Sequence, residues 1–142
     1  MEFTEEIHID CSAATVFDLM ADARNELEWN TGVSRAELTT GEPIGEGSHF
    51  LVEDKRGEHE VTITGFDRPE RLEFALTGKS MDVAISYRYA ETDGTTTAVG
   101  HFDARPKGLM KFLLPLLMPM IKRDLAKQHA RFTALCESRC DP

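Results

Sequence analysis

The chain is poor in cysteine, and its three, Cys11, Cys136 and Cys140, make an odd number without the Cys/His spacing of a zinc site. Cys136 and Cys140 lie one helical turn apart, where a disulfide is strained. Three free thiols are therefore expected, with Cys11 buried as a small apolar residue and a reducing cytoplasm as the compartment. No HExxH occurs, and in EHE at 58–60 the glutamates fall on the opposite strand face from His59, so no metal is expected. GxSxG, a phosphate loop and a dinucleotide fingerprint are all missing, so no cofactor is expected. An apolar N-terminal segment with a small-residue cleavage site is missing too, and nothing argues for secretion. The longest apolar stretch, residues 109–121, is broken by Lys111, Pro115 and Pro119. A bilayer span needs roughly 20 apolar residues, so no transmembrane segment is expected.

Positive charge is scarce as well, but only in part of the chain. Residues 1–104 carry 8 Lys and Arg against 22 Asp and Glu, a balance of −14, whereas residues 105–142 carry 8 against 3, a balance of +5. The net charge of −9 disfavours nucleic acid, whose backbone is held by a dominant positive field. The basic residues Lys122, Arg123, Lys127 and Arg131 either solvate the outer face of a helix or draw it to an anionic partner or membrane surface.

What is present is a clear change of period. Residues 2–10 alternate, with Phe3, Glu5, Ile7 and Ile9 on one face, as a half-buried strand does. Ser12 is an N-cap for a short helix carrying Ala13, Val16, Phe17 and Met20, and Asp22 caps a second short helix ending near Trp29. From residue 33 the period is two, giving strands at 33–39, 48–54, 58–66, 71–78, 81–91 and 95–104. Turn-forming connectors separate them, so neighbours in sequence are expected to be antiparallel neighbours in the sheet. Residues 107–138 then read as one long helix, whose prolines either restart or kink it. From Ile121 it is amphipathic through Leu125, His129, Phe132 and Cys136, while residues 109–121 are apolar almost all round.

These elements predict an α+β fold in one domain, residues 1–142: a curved antiparallel sheet of seven strands wrapped around a long C-terminal helix, with two short helices between strands 1 and 2. Such a sheet and helix do not meet flush, and the gap is a site for a small apolar molecule. Residues 109–120, with their two prolines, are the expected closure of that gap.

The order and spacing of IHIDCSAATVFDLMAD at 7–22, Trp29 in LEWNTGV, GEGSHF at 45–50, FDRPERLEF at 66–74, YRYAETDGTTTAV at 87–99 and the proline-bearing helix after RPKG at 105–108 resemble the SRPBCC or START-like superfamily of helix-grip proteins, in its polyketide cyclase/dehydrase-like branch. The resemblance implies a deep hydrophobic pocket between sheet and C-terminal helix. It carries over no catalytic residue, because the superfamily has no universal one.

The candidate ligand-binding residues are Trp29, His49, Tyr87, Tyr89, His101, Met110, Leu113, Leu114, Leu117 and Ile121. Trp29 either edges the pocket or plugs the short helices onto the sheet. His49 and His101 suit proton transfer if they face inward, although the inward parity of the last strand is open between the His101 row and the row Ala98, Gly100, Phe102 and Ala104. Tyr87 and Tyr89 extend the face of Met81, Val83 and Ile85 and can orient a ligand's oxygens. Three functions remain: binding of a lipid-like or polyketide-like molecule; a cyclase or dehydratase using pocket His and Tyr; or a protein- or membrane-interaction module through the apolar part of the last helix. The chain is expected to be a monomer or a homodimer.

Overall fold

The alternation of residues 2–10 becomes strand β1 (Glu2–Ile9), and the computed structural model describes residues 1–140. Helix α1 (Ala13–Ala21) starts on Ser12, whose hydroxyl accepts from the Thr15 N–H at 3.3 Å. A 3-10 turn (Ala23–Asn25) starts on Asp22, which accepts from the Arg24 N–H at 3.0 Å, and helix α2 (Glu26–Trp29) follows. The strands are β2 (Arg35–Leu38), β3 (His49–Asp54), β4 (Gly57–Asp67), β5 (Arg71–Thr77), β6 (Met81–Thr92) and β7 (Thr95–Pro106), and helix α3 (Met110–Arg139) ends the chain.

The sheet order is β1-β7-β6-β5-β4-β3-β2, antiparallel at every step. Consecutive strands are neighbours from β2 to β7, as short turns require. At the β6–β7 turn Asp93 and Gly94 have φ of 51° and 80°, the paired positive values of the type I′ turn that suits hairpin twist. β1 and β2 lie at opposite edges, so α1 and α2 must carry the chain across one face of the sheet. That face also receives α3, and between them lies the main core, with Phe17, Phe50, Ile63, Leu72 and Phe132 fully enclosed.

α3 is a single helix that runs through both Pro115 and Pro119; it neither restarts nor divides there. The carbonyls of Lys111 and Pro115 lose their usual donors, but the prolines and Lys111 are exposed, where water supplies the replacement. Its start is tied to the β5–β6 hairpin by Lys107, whose ammonium donates to the Gly78 carbonyl at 3.0 Å and pairs with Asp82 at 2.9 Å. Its end is tied to α2 by Arg139 and Glu28 at 2.7 Å.

The cysteines depart from expectation. Cys11 and Cys140 form a disulfide, their Cα atoms 5.5 Å apart, and only Cys136 is free. Spacing along the chain pointed to the neighbour one turn away, but α3 folds back over the end of β1 and brings in a partner 129 residues distant. The free-thiol ground for a reducing compartment therefore falls away.

Candidate functional site

The curved sheet and α3 diverge toward the hairpin tips, leaving a cavity of about 830 Å³. Its wall is made by alternate residues of the central strands: Val61 from β4, Phe74 and Leu76 from β5, Met81, Val83, Ile85 and Tyr87 from β6, and Phe102 from β7. Period two puts each such row on a single face. Met20, Ala23, Glu26 and Trp29 close one side, and Ile121, Leu125, Gln128 and His129 of α3 close the other. The mouth lies among the β3–β4 turn at 54–57, the β5–β6 turn at 78–80 and the loop 30–33. Gln128 pins that loop to α3: its amide donates to the Thr31 hydroxyl and accepts from the Thr31 N–H, both at 3.2 Å.

Three polar groups of the lining interact, His129 and Tyr87 at the inner wall and Glu26 between them and the mouth. His129 is almost wholly enclosed, and burial lowers its pKa, against the pull of Glu5 upward. The neutral ring fits both of its bonds. Its Nδ1–H donates to Glu5 Oε2 at 2.6 Å, and its Nε2 accepts from the Tyr87 hydroxyl at 3.0 Å; this tautomer is the one the network requires. Burial, with the Glu26 and Glu5 carboxylates next, drives the Tyr87 phenol well above its ordinary range, so Tyr87 stays protonated. Burial likewise pushes the Glu26 carboxyl from 4.5 up to about 7, opposed by the hydrogen bond from the Asn30 amide at 3.2 Å and reinforced by Asp54. Tyr87 thus spends its proton on His129 and offers oxygen lone pairs, while Glu26 can hold or release a proton near neutrality.

Of the candidates from sequence, the fold places Trp29, Tyr87 and Ile121 on the cavity. The other seven lie elsewhere. His49 sits on the outer face, because Phe50 and Val52 take the inward parity of β3, and it contacts Thr39 and Glu60 instead. His101 is exposed between Thr4 and Glu2; the inner row of β7 is Ala98, Gly100, Phe102 and Ala104. Tyr89 is buried behind Tyr87, their rings stacked at 6.0 Å, and its hydroxyl has no partner among the described residues. Leu114 packs with Met118 and Ala104 in a small separate core that Met110 flanks. Leu113 points outward and Leu117 is half-buried off the cavity. Residues 109–120 therefore do not close the gap; α3 meets the cavity only from Ile121 onward.

Two polar residues of the cavity lining, Glu26 and His129, escaped the sequence reading as site residues. For His129 a signal existed: it is the one strongly polar side chain in the apolar stripe of α3, as Glu5 is in the inward row of β1. Two such exceptions on elements that must face each other are a pair.

Fold and cavity define a helix-grip protein of the SRPBCC/START-like class. Residues 1–137 match the model of the polyketide cyclase / dehydrase and lipid transport family, and the chain belongs to it. Solved structures agree on the fold. Ara h 8.0201 is 16% identical over 98% of this chain and 99% of its own, with a TM-score of 0.76. A conserved protein from Geobacillus kaustophilus is 11% identical over 97% and 96%, with a TM-score of 0.79. The di-domain ARO/CYC BexL from the BE-7585A biosynthetic pathway is 18% identical over 100% of this chain and 50% of its own, with a TM-score of 0.71. Among curated proteins none matches the sequence.

Proposed function

We propose that the chain binds a hydrophobic small molecule, polyketide-like or lipid-like, between the sheet and α3, with a hydroxyl of the ligand at the inner wall. The observation that carries this is the cavity itself: about 830 Å³, within the usual size of small-molecule sites, walled along the sheet by aliphatic and aromatic side chains, with the charged groups gathered toward the mouth. Affinity comes from apolar burial. Selectivity comes from the Tyr87 oxygen, free to accept, and from Glu26, which disfavours a ligand carboxylate beside it. Ile85 lines the cavity beside Tyr87 on β6, so Ile85→Trp fills the space without exposing core. Native mass spectrometry of protein purified without detergent is expected to show a retained mass that Ile85→Trp loses. A clean apo mass for the unaltered chain, or an undiminished one for the variant, would reject the reading.

A second reading, a cyclase or dehydratase, is favoured by one observation: a carboxyl titrating near 7 shares the cavity with a tyrosine anchored through His129 to Glu5. A group of that pKa can both take and return a proton at neutral pH. The cyclase and dehydrase members of the family and the likeness to the ARO/CYC protein BexL support it. On this reading Glu26 is the acid–base group and Tyr87 orients the substrate oxygen. Glu26→Gln then abolishes turnover while binding persists; turnover unaffected by both Glu26→Gln and Tyr87→Phe would exclude it.

A further inference from the structure

The first half of α3 leaves a row of large apolar side chains in water. Leu109, Phe112, Leu113, Leu116 and Met120 are 73, 78, 42, 78 and 59% exposed. Their steps of three and four put them on one helix face, opposite Leu114 and Met118, which are buried. The same face continues as Arg123, Lys127 and Arg131, all exposed and in no ion pair among the described residues. A stripe about 33 Å long thus begins apolar and ends basic. Asp124 is the one carboxylate in residues 107–136, and it faces the cavity mouth.

We propose that this stripe is a docking face for an anionic lipid surface. Apolar side chains enter the headgroup boundary and the basic ones meet lipid phosphates and carboxylates, the pattern by which amphipathic helices lie on membranes. Charge complementarity selects this occupant, since the basic residues are concentrated on α3 in a molecule whose first 104 residues are strongly acidic. A second copy fits less well. Outside the stripe the large exposed apolar residues among those described are Met1 and Leu27, so another copy offers no apolar counterpart except the stripe itself. A two-fold pairing centred on Leu116 lays Arg123 of each copy across Leu109 of the other, with no carboxylate opposite. No helix among the described residues is long and apolar enough to cross a membrane, so the contact is peripheral.

The position of the stripe adds a purpose. Ile121 and Met81 belong both to the small core under the stripe and to the cavity lining, so the mouth opens at the flank of the docking face. The rim itself is balanced, with Lys55, Arg56 and Lys79 beside Asp54, Glu58 and Asp124, so the positive charge that meets the surface is that of α3.

The test uses the full chain, without added ligand, and vesicles of phosphatidylcholine with or without phosphatidylserine. Cosedimentation with the anionic vesicles only, weakened by salt, is expected. Arg123→Glu combined with Lys127→Glu weakens partitioning at least about fivefold per site, and Phe112→Ser combined with Leu116→Ser by more than about tenfold. All four side chains are exposed, and unchanged thermal unfolding verifies that the variants fold. Absence of partitioning, partitioning indifferent to lipid charge, or a lipid-free dimer that Phe112→Ser/Leu116→Ser dissolves would each overturn the proposal. None of these outcomes depends on what the cavity holds.

Discussion

Glu26 sits in the cavity wall because α2 is a single turn whose other inward residue is Trp29. A carboxyl whose folded pKa is raised holds its proton more tightly folded than unfolded, so its contribution to stability falls as pH rises from 4.5 to about 7. His129 acts from the other side. Its folded pKa is lowered by burial, so the unfolded chain binds the proton better, and stability falls as pH drops below the ordinary 6.5. Urea unfolding of Glu26→Gln across this range is expected to lose the alkaline-side decline and keep the acid-side one. A second residue supports the same wall by being small. Gly100 faces Tyr87 across the β6–β7 pair, and a Cβ there would meet the Tyr87 ring at 2.8 Å and Phe102 at 3.0 Å. Gly100→Ala is therefore expected to push the phenol off His129 and cost about 1–3 kcal/mol, the usual penalty for orphaning a buried hydrogen-bonding group. The His129 ring resonances in NMR report whether the bond has broken.

At the scale of elements, α3 divides by the company each half keeps. Its second half lies over the main core through Leu125, Phe132 and Cys136, whereas its first half rests on a narrow contact made by Leu114 and Met118 against Ala104. Pro119 falls in that first half, exposed and inside continuous helix. Pro119→Ala restores the donor for the Pro115 carbonyl and is expected to stabilise the protein, by up to about 3 kcal/mol, read as a shift in the urea midpoint. The element pattern was legible in the sequence because period two and period 3.6 leave different marks, and every strand and helix lies where its alternation places it. The role of residues 109–120 was not legible. An all-apolar stretch says that several sides want cover, but not which partners the tertiary fold brings. Here β6 and β7 cover one side alone. The inward parity of β3 and β7 was hidden for a related reason: both faces of those strands mix apolar and polar residues, and only the position of α3 distinguishes inside from outside.

For the molecule as a whole, the Cys11–Cys140 bond joins the start of α1 to the end of α3 across 129 residues. Closing so long a loop removes unfolded-state entropy worth up to about 5 kcal/mol in the chain-entropy model. Cys140→Ser is accordingly expected to lower the unfolding free energy by a few kcal/mol, and the unaltered protein to match it once fully reduced. An identical urea midpoint with and without reductant would show that the bond does not form in solution. A separation of that size leaves no local trace in a sequence, which is why the spacing of Cys136 and Cys140 misdirects.

The clamp of Gln128 on Thr31 bears on time rather than on equilibrium. It joins two walls of the mouth without occupying the inner wall where a ligand's polar end would sit, so opening it is a step shared by entry and exit. Gln128→Ala should therefore raise the association and dissociation rates of a bound fluorescent fatty-acid or phenolic probe by the same factor in stopped flow, leaving Kd where it was. The residence time of a bound ligand would then be set jointly, by the apolar wall through Kd and by two hydrogen bonds at the doorway through the rate of opening.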